Sequence, residues 1–386
     1  MYFSHAKVAS LLAFCLVPCT SGAAMPVKRA ISSLVKGKPV GFAAGVTGGG
    51  NVAAVYPTNI ADLKKYLTSK DPQVIVIDRV YNFAGSEGKK TFKACNAYPC
   101  TPESGGQALL NTLNACTKPT YDVEIDLAAY QGINVQSQKT LIGKNGATLN
   151  GKGLRLTSVS NVIIQNVKIT NLNPKYVWGG DAISISGSSD IWIDHVETSQ
   201  TGRQHYSFGQ DANARVTISN SFVNGKTTNS ASCDGHTYWG EEMVAKSESI
   251  TWFQNYVYMT SGRSPALSGG TLLHAVNNVF DDNSGHLIEG GEAAARGIFE
   301  GNVFKGIKTT LNSGFKGKLF SATAKNVDLC SSAFGRKCEA NSYSNAPEIN
   351  RADTNFFGDY KGLTIVKAAA ASSIASSVPK SAGATL

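Results

Sequence analysis

The stretch VIIQN at 162–166 is the first clear copy of a short template that the chain repeats. Each copy is an apolar run closing on Asn or His, and the later copies are IWIDH at 191–195, VTISN at 216–220, ITWFQN at 250–255, LLHAVNN at 272–278 and GIFEGN at 297–302. Aligned on the closing residues, successive copies lie 23 to 35 residues apart. A period of this size is typical of solenoid proteins.

The template predicts strands rather than helices. The copies are rich in β-branched residues and are separated by Gly, Asn and Ser, which favours an all-β parallel β-helix built from stacked coils. The repeated closing residues predict a ladder of side chains at one corner, and they are Asn166, His195, Asn220, Asn255, Asn278 and Asn302. Residues in excess of the period must leave the coils as loops, so we expect loops to form a substrate cleft.

The 386 residues divide into three parts. Residues 1–29 resemble an export signal with a possible short propeptide, because Lys7 precedes the apolar stretch 8–17. We expect a β-helix domain over 30–367 and a weakly ordered Ala/Ser-rich tail over 368–386. The apolar stretch is too short to span a bilayer, so we expect a secreted protein without a membrane anchor. We also expect a monomer.

Charge and cysteine content narrow the possible partners. The formal charge of +9 includes three basic residues of the leader, so 33 basic against 27 acidic residues leave +6 without it. A basic chain suits a polyanion, whether pectin, another wall polymer or nucleic acid, and no nucleic-acid-binding motif is present. Outside the leader there are six cysteines, which in an exported chain favour three disulfides over a metal site: Cys95, Cys100, Cys116, Cys233, Cys330 and Cys338. Their pairing is open at this point, and we expect no cofactor and no metal.

Three charged residues form the candidate catalytic set. Arg203 and Arg263 each follow the closing residue of a copy by eight positions, so both should project from the same side of their coils. If one coil separates them, their backbones lie about 10 Å apart, which two arginines can span. Asp181 follows the preceding strand and can pair with Arg203, although most single Asp–Arg pairs serve structure only.

From residue 41 to residue 358 the chain resembles the fungal pectin lyases, which belong with the pectate lyases to the right-handed parallel β-helix superfamily. The matching strings are VTGGG at 46–50, NPKYVWGGDAI at 173–183, WIDH at 192–195, GRQH at 202–205 and LHAVNN at 273–278. The resemblance implies an endo-acting enzyme that cleaves methyl-esterified polygalacturonate by β-elimination. Its products would be oligogalacturonate methyl esters with 4,5-unsaturated ends.

The resemblance also implies roles for individual residues. Arg263 would take the proton from C5, while Asp181 and Arg203 line the subsite, with Arg203 where pectate lyases have a calcium-binding aspartate. Aromatic residues would stack on the sugar rings, namely Trp178, Tyr238 and Trp239. The implied disulfides are Cys95–Cys116, Cys100–Cys233 and Cys330–Cys338.

Two departures from the family keep alternatives open. Ala266 stands where a lysine is expected and Glu242 where an aromatic is common. A calcium-dependent pectate lyase and a catalytically silent pectin-binding β-helix protein are therefore the alternatives. A hydrolase would need paired carboxylates flanking the scissile bond, and the adjacent pair Asp281-Asp282 is the candidate for that role.

Overall fold

The computed structural model describes residues 30–386, so the predicted export signal over 1–29 lies outside the described residues. Twenty-nine strands account for most of the regular structure. In chain order they are β1 Ala54–Val55, β2 Gln73–Ile77, β3 Val80–Asn82, β4 Lys89–Cys95, β5 Ala108–Leu110, β6 Tyr121–Asp126, β7 Ile133–Asn134, β8 Lys139–Gly143, β9 Thr148–Asn150, β10 Leu154–Thr157, β11 Ser160–Gln165, β12 Lys168–Leu172, β13 Tyr176–Val177, β14 Ile183–Ser186, β15 Ser189–Asp194, β16 Glu197–Thr201, β17 Tyr206–Ser207, β18 Asn213–Ser219, β19 Phe222–Asn224, β20 Glu241–Met243, β21 Glu248–Phe253, β22 Tyr256–Thr260, β23 Ala266–Leu267, β24 Thr271–Val276, β25 Val279–Ile288, β26 Arg296–Glu300, β27 Val303–Leu311, β28 Lys318–Ser321 and β29 Ser342–Ser344.

The helices are short. They are α1 Ile60–Thr68, α2 Leu127–Tyr130, α3 Ser331–Phe334, α4 Ala371–Ile374 and α5 Val378–Ser381, with 3-10 turns at Gly41–Ala43, Pro102–Ser104, Val327–Cys330 and Phe357–Tyr360. Within residues 30–386 no helix is long and apolar enough to cross a membrane.

Three parallel sheets of ten, nine and six strands form the coils, and each central coil supplies one strand to each sheet. The back sheet has the order β1-β2-β8-β11-β15-β18-β21-β24-β26-β28. The side sheet has the order β29-β27-β25-β22-β19-β16-β12-β9-β3, and the cleft sheet has the order β23-β20-β17-β14-β10-β7. This arrangement confirms the predicted parallel β-helix, and the six template copies are the consecutive strands β11, β15, β18, β21, β24 and β26.

Aliphatic side chains stack inside the coils. Along the back sheet the registered inward positions are Val162, Ile191, Val216, Ile250 and Leu273, and all are buried. Burying each such side chain contributes about 1.5–3 kcal/mol, and the ladder runs through five successive coils, from β11 to β24. This repetition of one apolar position is what holds the coils in register.

The corner ladder differs from the expected one by a single residue. Because Ser219 pairs with Phe253, Asn220 stacks on Gln254 and not on Asn255. The ladder itself runs through the next position, where the backbone N–H of Asn255 donates to Asn278 Oδ1 and that of Asn278 donates to Asn302 Oδ1, each at 2.9 Å. Inward apolar packing fixes the register. The prediction that Asn255, Asn278 and Asn302 share one corner position with Asn166 was therefore wrong by one residue.

The Ala/Ser-rich tail is packed, contrary to the weak order expected from its composition. Ala371, Ile374 and Val378 form a buried cluster with Val279 and Val303 of the side sheet. At its end the backbone N–H of Leu386 donates to Asn166 Oδ1 at 3.0 Å. Small side chains let the tail lie close against the sheet, which composition alone does not reveal.

The structure contains the three disulfides that the resemblance implies, Cys95–Cys116, Cys100–Cys233 and Cys330–Cys338. The first two fasten a small accessory sheet, made of β4, β5, β6 and β13, beside the cleft sheet. Cys100–Cys233 joins positions 133 residues apart and therefore ties this accessory sheet to the long loop that precedes β20.

Candidate active site

The outer face of the cleft sheet forms the floor of a groove. Hydrogen-bonded pairing stacks Arg155, Ser184, Ser207, Glu242 and Ala266 on successive strands. The segments just before these strands carry the candidate residues, with Asp181 before β14, Arg203 before β17 and Arg263 before β23. One coil, that of β20, separates the coils of the two arginines, so the condition for their side chains to meet is fulfilled.

Arg203 and Asp181 form a forked ion pair. Arg203 Nε lies 3.2 Å from Asp181 Oδ1, and Nη2 lies 3.2 Å from Oδ2. The Arg203 side chain is only 8% exposed, and its guanidinium lies 3.9 Å from the centre of the Trp178 ring. Two-point pairing and stacking fix the orientation of this cation.

Glu242 joins the two arginines. Its Oε2 lies 2.9 Å from Arg203 Nη2, and its Oε1 lies 2.6 Å from Arg263 Nη1. Because Glu242 belongs to the intervening coil, its carboxylate reaches one arginine on each side. Sequence reasoning treated this residue only as a departure from the family, whereas the structure places it at the centre of the cluster.

Glu289 holds the other side of Arg263. Its Oε1 lies 3.1 Å from Arg263 Nε, its Oε2 accepts a hydrogen bond of 2.8 Å from the Tyr238 hydroxyl, and the same oxygen contacts His286 Nε2. Burial acts to raise the pKa of Glu289, but the bonds from His286 and Tyr238 together with the charge of Arg263 hold it below its usual value. The spacing of His286, eight residues after Asn278, was the only sequence signal for this group.

Aromatic residues wall one side of the groove. The Arg263 guanidinium lies 5.0 Å from the Trp239 ring and 5.9 Å from the Tyr238 ring. Trp239 is almost buried and its indole N–H donates to Gln107 Oε1 at 2.9 Å, so its ring is fixed in place. An open cavity of about 410 Å³ lies against Trp178, Arg203, Trp239, Glu242 and Arg263.

Two site residues adopt left-handed backbone conformations. Trp178 has φ 72° and Arg263 has φ 39°, values that are uncommon for residues other than glycine. Such conformations cost free energy and persist where the surrounding structure imposes them, often at functional sites. At Arg263 the ion pairs to Glu242 and Glu289 supply that restraint.

The structure does not bring the alternative acidic pair to the groove. Asp281 and Asp282 lie on β25 of the side sheet, where Asp281 pairs with Lys305 at 3.1 Å and Asp282 with His236 at 3.2 Å. In the described part of the chain, no group of three or more His, Cys, Asp or Glu side chains is arranged to hold a metal ion.

Comparison with known proteins identifies the family of the chain. The sequence profile of the pectate lyase family matches residues 108–384. Over 361 residues the chain is 61% identical to the probable pectin lyase E of Aspergillus niger, covering 93% of this chain and 97% of that one. It is 45% identical to pectin lyase A of Emericella nidulans, covering 96% and 99% of the two chains.

Solved structures share the fold. A pectate lyase from Paenibacillus sp. 0602 matches with a TM-score of 0.59 and 16% identity, covering 90% of this chain and 96% of that one. The cedar pollen allergen jun a 1 matches with a TM-score of 0.53 and 17% identity, covering 89% and 92%. At these identities the likeness concerns the fold alone.

Fold, profile and relatives together define the class: a polysaccharide lyase built on a parallel β-helix. The chain belongs to the fungal pectin lyases of the pectate lyase family.

Proposed function

We propose that this protein is a secreted, endo-acting pectin lyase that cleaves methyl-esterified polygalacturonate by β-elimination. The observation that carries the proposal is the pair of arginines, Arg203 and Arg263, held side by side in an open groove by Glu242. The groove runs across the strands, so a polymer can enter and leave at both ends, which suits cleavage within the chain. Oligogalacturonate methyl esters with 4,5-unsaturated ends are the expected products.

The reaction needs a proton acceptor at C5 and positive charge near the ester carbonyl. The C5–H bond breaks, its electrons form the C4=C5 double bond, the C4–O bond breaks, and the departing sugar oxygen takes a proton from water. An ester withdraws electrons more strongly than a carboxylate, so the C5 proton of a methyl ester is the easier one to remove. In this scheme Arg203, oriented by Asp181, stabilises the enolate charge.

Arg263 is the residue that we assign to the C5 proton. A guanidinium normally keeps its proton, so it must pass one to a neighbour before it can accept another. Glu242 Oε1, 2.6 Å from Arg263 Nη1, is the nearer carboxylate acceptor in contact with it, and Glu289 Oε1 lies 3.1 Å from Nε. The protonated carboxylate later gives its proton to the hydroxide that remains after water has protonated the departing sugar oxygen. Substrate that covers the groove excludes water and strengthens these electrostatic interactions. Trp178, Tyr238 and Trp239 form the aromatic surface for the sugar rings.

The residues here do not fit the calcium site of the pectate lyases. Asp181 and Glu242, the carboxylates nearest to Arg203, are both engaged by that guanidinium. A fixed cation thus occupies the position of a metal between them, and no step of the proposed reaction passes through calcium.

The test is the appearance of the ultraviolet absorbance of unsaturated uronides from highly methylated pectin in excess chelator. We expect the same initial rate with chelator and with added calcium. A rate that collapses in chelator and returns with calcium would identify a pectate lyase, and absence of product under both conditions would indicate a silent pectin-binding protein.

Secretion, a monomeric state and pectin as the partner complete the proposal. The support for secretion is the charged and apolar leader within residues 1–29. Sequencing the N-terminus of protein recovered from the culture medium, and its mass in solution, would test these two points.

A further inference from the structure

The floor of the groove carries one more cation, away from the reacting centre. Arg155 lies on β10, in register with Ser184 of β14, which is in register with Ser207 of β17 and then Glu242 of β20. Three strand spacings, about 14 Å, therefore separate the backbone of Arg155 from that of Glu242. A pyranose ring is about as long as one strand spacing, so Arg155 lies two or three sugars from the centre.

Arg155 stands at a cavity of its own. A space of about 250 Å³ lies between Arg155 and Trp178 and is also lined by Thr112, Tyr130 and Asp181. Gly132 leaves room for the arginine, because a Cβ there would come within 2.7 Å of Arg155 Cγ. The cavity thus offers a cation, two aromatic rings and a hydroxyl to a ligand.

Arg155 differs from the other two arginines of the groove in its partners. Arg203 contacts Asp181 and Glu242, whereas the Arg155 side chain makes no ion pair or hydrogen bond with the part of the chain that the structure describes. Asp181, the carboxylate that shares the cavity, is held by Arg203 and by the backbone N–H of Gln204 at 2.9 Å. Arg155 is therefore the cation with its charge available to a ligand.

The reacting centre has the opposite balance. There two guanidinium groups face three carboxylates, those of Asp181, Glu242 and Glu289. A further anion gains little from cations that are already paired, so a neutral ester fits this centre better than a carboxylate does.

We propose that Arg155 forms a subsite for a free galacturonate carboxylate. The inference rests on the proposed pectin lyase function and refines its substrate: partly methylated pectin, with an ester at the reacting sugar and a carboxylate two or three sugars away. The aromatic rings of Trp178 and Tyr130 pack on the sugar, and the guanidinium of Arg155 takes its carboxylate. With such a subsite, binding depends on where the methyl esters and free carboxylates lie along the polymer, and not only on the average degree of esterification.

The test compares Arg155→Gln with wild type on fully methylated pectin and on pectin of about half that methylation. We expect KM on the half-methylated polymer to rise about threefold to fivefold, the worth of a partly exposed charge pair, with kcat little changed. KM on the fully methylated polymer should stay the same. Added salt should reduce the difference between variant and wild type on the half-methylated polymer.

Two further variants serve as controls for the charge and for its position. Arg155→Lys keeps the charge and should retain most of the discrimination, and Arg79→Gln removes an exposed cation that pairs with Asp78, so it should leave both KM values unchanged. An equal rise of KM on both polymers, or no rise on either, would overturn the proposed subsite.

The inference can fail independently of the proposed function. If wild type makes unsaturated product from fully methylated pectin but Arg155→Gln shows no selective loss, only the subsite is wrong. If wild type makes no product, calorimetric binding of a partly methylated oligogalacturonide to wild type and Arg155→Gln still decides whether the carboxylate subsite exists.

Discussion

At the scale of single residues, the centre of the groove is a chain of alternating charges. It runs from Asp181 through Arg203, Glu242 and Arg263 to Glu289, with each contact at 3.2 Å or less. Every member is partly shielded from water, so each orients its neighbours more firmly than an exposed pair would. Changing one member should therefore alter the geometry of the next.

Arg263→Lys should reduce kcat on methylated pectin by about 10² or more, the lower end of what general bases contribute. Lysine keeps the charge, so pectin binding should largely persist. It cannot contact both Glu242 and Glu289 with a planar fork, so the rate should fall. Steady-state rates, polymer binding and the melting temperature measure these three effects. Arg203→Lys is the matched variant and should raise KM more than it lowers kcat. If Arg263→Lys keeps more than about a tenth of the wild-type rate, Arg263 is not the base.

Glu242→Gln should shift preference toward less methylated polymer. Removing this charge leaves Arg203 and Arg263 only partly neutralised, which favours a substrate carboxylate at the centre. We expect kcat/KM on highly methylated pectin to fall by about 10² or more, because Arg263 loses its proton acceptor and both arginines lose a restraint, while the ratio of low- to high-methyl activity rises. Glu124→Gln, which removes an exposed carboxylate from β6, is the control. An unchanged ratio would show that Glu242 only positions the arginines.

At the scale of one element, strand β20 presents two adjacent glutamates to opposite environments. Glu242 faces the groove, while Glu241 points into the coil, where its carboxylate is buried and neither oxygen meets a hydrogen-bond partner within residues 30–386. Burial raises the pKa of Glu241 to about 8. Alternation along the strand thus separates a charged functional residue from a neutral internal one.

The part of the stability that Glu241 contributes should fall as pH rises from about 4.5 to about 8, because the folded state holds the Glu241 proton that the unfolded state releases. Glu241→Gln should flatten this dependence, with its melting temperature gaining on wild type by about 2 °C or more between pH 4.5 and pH 8. Thermal melts across this range measure the slope. Glu248, whose pKa is raised to about 7, remains in the variant, so part of the slope persists. Parallel curves for variant and wild type would contradict the assignment.

The sequence predicted the strands better than their contacts. Apolar runs at 191–195 and 216–220 were sufficient to locate β15 and β18, because a short run of β-branched and apolar residues bounded by turn residues is typical of a strand that is buried on both faces. The sequence did not reveal the partners of Arg263. Glu242 and Glu289 belong to neighbouring coils, and the loops that separate these coils along the chain differ in length. The one-residue error at Asn255 has the same origin, as register follows inward packing and not the matching of polar residues.

At the scale of the whole molecule, net charge and local charge act in different ways. The chain carries a formal charge of +9, and +6 without the three basic residues of the leader over 1–29; this charge attracts an anionic polymer over a distance that salt shortens. Once the polymer reaches the groove, we expect the balance of two arginines against three carboxylates to determine which sugar lies at the centre. Capture and selection therefore depend on different residues.

The stacking of the cleft sheet also constrains how such an enzyme can change over evolutionary time. The separations of Arg155, Ser207 and Glu242 along the groove are whole multiples of the distance between hydrogen-bonded strands. A point mutation can exchange the chemical group at one of these positions, but it cannot move that position by half a step. New specificities should thus arise by substitution at positions whose spacing along the groove is fixed. A change in the number of these positions would require the gain or loss of an entire coil.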